Sequence, residues 1–547
     1  MSIDACLLMM RQSFVRRMAA ARAVLLAILG AAAVLGSAYA ASPTPPAGSG
    51  ASDEIFYLIF VRSFSDSNGD TKGDLKGIEE RLGYLQDLGV TTVVLTPLYL
   101  SPFYHSYFAT DFSKIDPAYG TEADFRSLVR SLHKRGMKIF IDEEVQYVTA
   151  DHEWFKDSLN NPNSKYSHYI LYNGPKNTQP ESGELPTYAG TRVLVATVNM
   201  YEPAVLEYQT EQFEHWMNPT GRVGAADGVD GFRIDHMMDN LDMTGKLTGL
   251  FARFWTPMFQ QLRADNRHVR ILAEQADWSA YGDDWFNRGN VDMVYAFPIR
   301  GAIVSFDKKQ IVGAVTETWR KTPAGKQQLV FIENHDTNRF ASEVGGDLRR
   351  EKLGASLNLL LKGIPLIYYG QELGMEGRQG RWMSDGNDIP VREAFPWTAS
   401  IGPGMAVWYK DTGAWWTQSP LAKGGYISLE SEVNEPGSIL SYYKYLIALR
   451  KANPELITGD QAIVGNDSNS VFSFVRFDGA RRVLVAVNLA ETRLTAHVAA
   501  SDAAPALQNA TLRNLITGEV VIRGADGSFA ITLQEYGVGI YGISTAN

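Results

Sequence analysis

Past residue 55, short apolar runs alternate with stretches whose apolar positions recur three and four residues apart, which predicts strands each followed by a helix. The strand runs are 55–61, 92–95, 138–142, 229–235, 271–274, 293–297, 329–335 and 364–369. Between them, Ile78, Leu82 and Leu85, and then Phe125, Leu128, Val129 and Leu132, have the spacing of a buried helix face. Eight such pairs over about 400 residues predict an α/β fold, a (β/α)8 TIM barrel, with its chemistry at the strand C-terminal ends.

Two stretches interrupt the pattern. Residues 146–201, after the third strand, are rich in Tyr, Asn, Pro and Gly with little helical periodicity, and predict an inserted subdomain. A second insertion, about 373–435, carries Trp382, Trp397, Trp408, Trp415 and Trp416; sugar stacking and local packing are both open to these rings. From 454 to 547 the texture changes to alternating runs at 471–477, 483–489 and 536–541 separated by turn residues, which predicts a C-terminal antiparallel β domain. The barrel is then expected over 51–145 and 202–453.

The N-terminus is different again. Arg11, Arg16, Arg17 and Arg22 precede an apolar run over 23–36 and the small-x-small pattern Ser37-Ala-Tyr-Ala40. This predicts a signal peptide over 1–40, a flexible start over 41–50 and export to the periplasm or beyond. The single cysteine, Cys6, lies in that leader, so a mature chain has no disulfide, thiol nucleophile or thiolate metal site. A formal net charge of −10, with no basic cluster, argues against nucleic acid or anionic membranes as partners and suits a neutral polymer.

Candidate chemistry gathers at the predicted strand ends. In Gly231-Phe-Arg-Ile-Asp-His236, Arg233 and Asp235 point the same way, because strand side chains alternate. The cation keeps the carboxylate ionised and oriented, as a glycosidase nucleophile requires and as a structural ion pair also would. Glu274 ends Ile271-Leu-Ala-Glu274, and Asp336 ends Phe331-Ile-Glu-Asn-His-Asp336. Glycoside hydrolysis needs one ionised and one protonated carboxyl, and crowded carboxylates hold a proton on at least one member. Asn334 and His335 add hydrogen-bonding groups suited to sugar hydroxyls. In Asp66-Ser-Asn-Gly-Asp-Thr-Lys-Gly-Asp74, oxygen side chains recur at alternate positions, as in a hard-cation loop or a solvated acidic turn.

These motifs resemble the α-amylase superfamily of glycoside hydrolases, and the likeness runs from Ile55 to the C-terminus. Gly231-Phe-Arg-Ile-Asp235, Ala273-Glu274 and Asn334-His335-Asp336 match three signature regions in order. The resemblance implies Asp235 as nucleophile, Glu274 as general acid and base, and Asp336 as the carboxylate that grips sugar hydroxyls in the transition state. It carries over Arg233 and His335 as orienting and sugar-binding residues, Asp142 as a largely structural acid, and Tyr107 as an aromatic platform. It also implies structural Ca2+ in the 66–74 loop, held by Asp66, Asn68, Asp70 and Asp74 through side chains and by Lys72 through its carbonyl.

The chain departs from the family pattern in places. Gln146-Tyr147 stands where the family has Asn-His, so Tyr147 is expected to bind or stack on the sugar. Asp239 replaces a histidine, while His236, a further candidate substrate contact, directly follows Asp235. Phe108 stands where exo-acting α-glucosidases carry an aspartate, which favours an endo-acting hydrolase of α-1,4-glucans. The alternatives are an exo-acting α-glucosidase, a transglycosylase, or a non-catalytic carbohydrate-binding or assembly member of the family.

Overall fold

A computed structural model describes residues 53–221, 226–499, 507 and 510–545. The expected signal peptide over 1–40 and the segment 41–50 lie outside the described residues. Eight parallel strands close into a barrel: β1 (Phe56–Ile59), β2 (Thr92–Leu95), β3 (Lys138–Glu143), β4 (Gly231–Met237), β5 (Arg270–Gln275), β6 (Met293–Tyr295), β7 (Gln327–Val330) and β8 (Ile364–Tyr368). Each strand pairs with its neighbours in sequence, and β8 closes on β1 with Leu366 opposite Phe56. The strands are apolar on both faces because helices cover the outside and side chains fill the inside.

The helices form where the periodicity places them. Phe125, Leu128, Val129 and Leu132 are the buried face of Glu122–Lys134, which Thr121 starts with a capping box to Asp124. Ile78, Leu82 and Leu85 are likewise buried, but their helix breaks at Arg81 into Leu75–Glu80 and Leu82–Leu88. The seventh strand is shorter than its apolar run: it ends at Val330, not at His335. Beyond it, Glu333 accepts from Arg339 Nη1 at 2.9 Å and from the Phe340 amide, and the Asn334 amide donates to Thr337 Oγ1 at 3.0 Å. These bonds turn the segment out of the ladder and present His335 and Asp336 at the rim.

The first insertion carries a three-stranded antiparallel sheet with Arg192–Thr197 between Tyr147–Thr149 and Ser182–Pro186, and a short helix, Glu153–Ser158, that the sequence pattern does not announce. After β2, the antiparallel pair Tyr99–Leu100 and Asp111–Ile115 brackets the loop that bears Tyr107. In the second insertion, Trp397, Trp408, Trp415 and Trp416 are buried. Their indole groups bond locally: Trp397 to the Phe64 carbonyl at 2.7 Å, Trp408 to Ser63 Oγ at 2.9 Å, and Trp415 to Thr412 Oγ1 at 2.8 Å. Packing, not sugar stacking, accounts for those three.

Past the barrel, a six-stranded antiparallel sheet and a two-stranded sheet share a second core around Val471, Leu484, Phe529 and Tyr541. Arg476 of that sheet, fully buried, donates to the carbonyls of Leu360 at 3.0 Å and Gly459 at 2.9 Å. Arg450 donates to those of Leu359 at 2.7 Å and Gly363 at 2.8 Å. Two guanidinium groups thus satisfy the open carbonyls where helix Leu348–Leu360 ends, where a cation also complements the helix dipole.

Gly231 starts β4 at a crossing with no room for a side chain: a Cβ there would meet the Arg270 carbonyl oxygen at 2.4 Å and the Phe140 ring at 2.5 Å. Gly231→Ala is therefore expected to destabilise the barrel by about 1–3 kcal/mol, read as a lowered midpoint in thermal unfolding. An unchanged midpoint would show that β3 and β5 give way freely around that position.

Candidate active site

The C-terminal ends of β3, β4 and β5 meet around one side chain. Asp142 pairs in register with Arg233, and Arg233 with Leu272, so Glu274 lies one step further along the same face of β5. Arg233 has no exposed surface. Its Nη1 reaches Asp142 Oδ1 at 2.7 Å and Oδ2 at 2.8 Å, and Asp235 Oδ1 at 2.5 Å; its Nη2 reaches Glu274 Oε2 at 2.6 Å. One planar cation therefore fixes three carboxylates, a task suited to the rigid guanidinium fork.

Three acids on one cation leave surplus negative charge in a buried space, and the cluster relieves it by keeping a proton. Burial pushes Glu274 up to about 7 against the pull of Arg233, and Glu274 Oε1 has no hydrogen-bond partner. Burial likewise pushes Asp142 up, opposed by Arg233. Burial acts on Asp235 too, but His236 and Arg233 together hold it well below the usual carboxylate range. Two carboxyl groups a few ångströms apart thus divide into an ionised one and one poised to carry a proton near neutrality.

His236 owes its position to an irregularity. The β4–β5 register shifts between Ala273 and Gln275, so that Asp235 and His236 together oppose Glu274, and His236 has a left-handed φ of 42°. Such a bulge re-aims a side chain that simple alternation would turn away. His236 Nδ1 consequently lies 2.9 Å from Asp235 Oδ2.

The third candidate acid is held from a different quarter. Asp336 Oδ1 accepts from Arg392 Nη2 at 2.8 Å, and Oδ2 lies 2.9 Å from His335 Nε2. Burial raises its pKa, but His335 and Arg392 outweigh burial and hold it low. Burial lowers His335, whose Nδ1 is unpartnered, so the neutral ring carries its proton on Nε2 between Asp336 and the Tyr107 hydroxyl at 2.7 Å. Tyr107 in turn donates to Asp142 Oδ2 at 2.8 Å and stacks on His335 at 5.5 Å. His105 completes this wall, its Nδ1 accepting from the Tyr107 amide at 3.1 Å.

Of the residues the sequence nominates, Arg233, Asp142, Asp235, His236, Glu274, Tyr107, His335 and Asp336 form one connected cluster. Asn334 serves the turn beneath it, accepting from the Asp336 amide at 3.1 Å, with its Nδ2 buried and unpartnered. Tyr147 stands apart, its hydroxyl bonded to Asp242 Oδ1 at 2.5 Å and its ring edge-on to Phe108. Asp239 pairs with Arg288 at 2.6 Å and caps the Phe251 amide at 2.8 Å. Sequence reasoning misses Arg392 and His105. The signal for Arg392 is a charged pair, Arg392-Glu393, set between apolar Val391 and Ala394-Phe395.

Among the described residues, two groupings bring His and carboxylate ligand atoms within 4.8 Å of one another: Asp142, Asp235 and His335, and Asp235, His236 and Glu274. Arg233 already supplies a positive charge to Asp142, Asp235 and Glu274, which argues against a further cation there. The 66–74 loop is separate. Asp66 accepts from the amides of Asn68, Gly69 and Thr71 at 3.0, 2.7 and 2.8 Å, while Asn68 and Asp70 accept from those of Asp70 and Lys72, each at 2.8 Å. Asp74 bonds Ser67 and the Gly77 amide, capping helix Leu75–Glu80. Asp66 Oδ2, Asn68 Oδ1, Asp70 Oδ1 and Asp74 Oδ2 each accept one bond and retain a second lone pair, and an all-oxygen donor set of this kind fits a hard divalent cation.

The family described as alpha amylase, catalytic domain, matches residues 58–459. Alpha-amylase 3 of Dictyoglomus thermophilum is 28% identical over 442 residues, covering 80% of this chain and 84% of its own. A 4-alpha-glucanotransferase of Thermotoga neapolitana is 29% identical over 456 residues, covering 80% and 95%. The crystal structure of an alpha-amylase from H. orenii superposes with a TM-score of 0.73 at 28% identity, covering 90% of this chain and 99% of that one.

The protonation of Glu274 has a consequence for stability. A carboxyl whose folded pKa is raised from 4.5 to about 7 costs nothing below pH 4.5 and progressively more as pH rises through 7. The neutral isostere Glu274→Gln is expected to match the parent in denaturant unfolding at pH 4. At pH 8 it should be more stable, on the order of 2–3 kcal/mol. Equal stabilities at both pH values would contradict the assigned proton.

Proposed function

This chain belongs to the alpha-amylase family, and we propose that it is a retaining hydrolase of α-glucosidic bonds, endo-acting on α-1,4-glucans such as starch and maltooligosaccharides. The observation that carries this reading is the approach of Asp235 and Glu274, whose carboxylate oxygens come within 4.8 Å of each other. Retaining glycosidases place their two carboxyl groups about 5–5.5 Å apart, whereas inverting enzymes need about 6.5–9.5 Å to admit a water.

Asp235, ionised and oriented by Arg233, attacks the anomeric carbon while Glu274 gives its proton to the departing oxygen. Glu274, now a carboxylate, takes a proton from water, which attacks the same carbon and frees Asp235. Asp336, fixed by Arg392 and His335, grips sugar hydroxyls, and Tyr107 offers a ring face. Phe108 favours an endo-acting cleft: it packs at 5.1 Å on Phe103 and 5.9 Å on Tyr147, an apolar wall with no charge to grip a chain end. An exported enzyme, with 1–40 as its leader, fits a polymeric substrate.

Starch and maltooligosaccharides should give mixed short oligomers of α configuration early in the reaction. Glucose as sole early product would overturn endo action, β products would overturn retention, and products longer than the substrate would identify a transferase. The kcat/KM profile should fall as pH rises through about 7, where Glu274 loses its proton. Glu274→Gln should lose about 10²–10⁴-fold in turnover, and full activity in that variant would remove Glu274 from its role.

Calcium is proposed for the 66–74 loop, with Asp66, Asn68, Asp70, Asp74 and the Lys72 carbonyl as ligands. When bound, it supplies charge neutralisation that rigidifies the exit from β1. Chelation should lower the thermal unfolding midpoint of the parent and leave Asp66→Ala unmoved; an equal shift in both would place the ion elsewhere.

A further inference from the structure

Asp235 has both oxygens engaged: Oδ1 by Arg233 at 2.5 Å and Oδ2 by His236 at 2.9 Å. The two partners differ in access. Arg233 is buried beneath the carboxylate, whereas 51% of the His236 side chain is exposed against 6% for Asp235, so the imidazole is the outer cover of the attacking group. Its placement is built into the backbone by the bulge opposite Glu274 and a φ of 42°, a conformation costly for a residue with a Cβ.

We propose that His236 gates the nucleophile, holding Asp235 Oδ2 while the cleft is empty and leaving it when a sugar occupies the cleavage point. This rests on Asp235 being the nucleophile. His236 acts through Asp235 and is a positioning residue. The charged groups that act on it are Asp235 on its own strand, Glu274 on β5, Asp336 after β7 and Glu144 after β3, while Arg233 lies beyond Asp235, on its other oxygen. Asp235 is the largest influence and raises the imidazole, which is therefore cationic at neutral pH. A cation on Oδ2 keeps the carboxylate ionised but lowers its nucleophilicity. It also opposes the positive charge that develops at the anomeric carbon. The exposed edge gives the ring a way out, whereas Arg233 has none.

Because kcat/KM reports the free enzyme and kcat the substrate complex, the two pH profiles separate the closed and open gate. Removing the imidazolium raises the Asp235 pKa in the free enzyme only. His236→Ala, and His236→Asn, which tolerates the left-handed backbone, should move the acid limb of kcat/KM up by about one pH unit. The acid limb of kcat should stay in place. An unmoved kcat/KM limb, or an equal shift in both profiles, would overturn the gate. Asp235→Asn assayed in parallel keeps the two ideas apart: if it is inactive while the limbs stay put, the gate alone fails; if it is active, the nucleophile assignment fails.

Discussion

The structure depends on the burial of one guanidinium among three carboxylates. Arg233 comes from the middle of β4, and Asp142 and Glu274 reach it because parallel strands place them beside it in register. Removing Arg233 would leave the buried carboxylates uncompensated and cost about 3–5 kcal/mol. The same cluster sorts its protons. One cation cannot neutralise three acids, so burial raises Glu274 and Asp142 while Asp235, closest to a second cation, is held low.

A second guanidinium organises the opposite wall. Arg392 spans the His335 carbonyl at 2.9 Å and the Asp336 carboxylate at 2.8 Å, so the insertion after β8 is tied to the turn after β7. Tyr107 joins the two halves, bonded to Asp142 on one side and His335 on the other. The tyrosine loop, three strand ends, the turn after β7 and the insertion after β8 thus converge through one hydrogen-bonded chain, which is the preorganisation that charge stabilisation in a transition state requires.

The sequence makes the barrel legible because parallel strands buried on both faces leave continuous apolar runs, and the covering helices leave a three-and-four spacing at Phe125, Leu128, Val129 and Leu132. Asp235, Glu274 and Asp336 are legible for the same reason: each follows such a run. Where the run misleads, polar chemistry intervenes. Phe331 and Ile332 extend the seventh run, but Glu333 and Asn334 bond forward to Arg339, Phe340 and Thr337 and end the strand at Val330. Arg392 lies 56 residues from Asp336 in a stretch without periodicity, so nothing local announces their pairing. The facing of His236 toward Asp235 is equally hidden, because alternation predicts the reverse and a single extra residue in β4 reverses it.

The most direct test of this account is to trap the covalent intermediate with a fluorinated α-glucosyl fluoride and locate the adduct by peptide mass spectrometry. A glucosyl ester is expected on Asp235, in the peptide that carries Gly231-Phe-Arg-Ile-Asp-His236. An adduct on Glu274 or Asp336, or turnover to a β-configured product with no adduct, would contradict it.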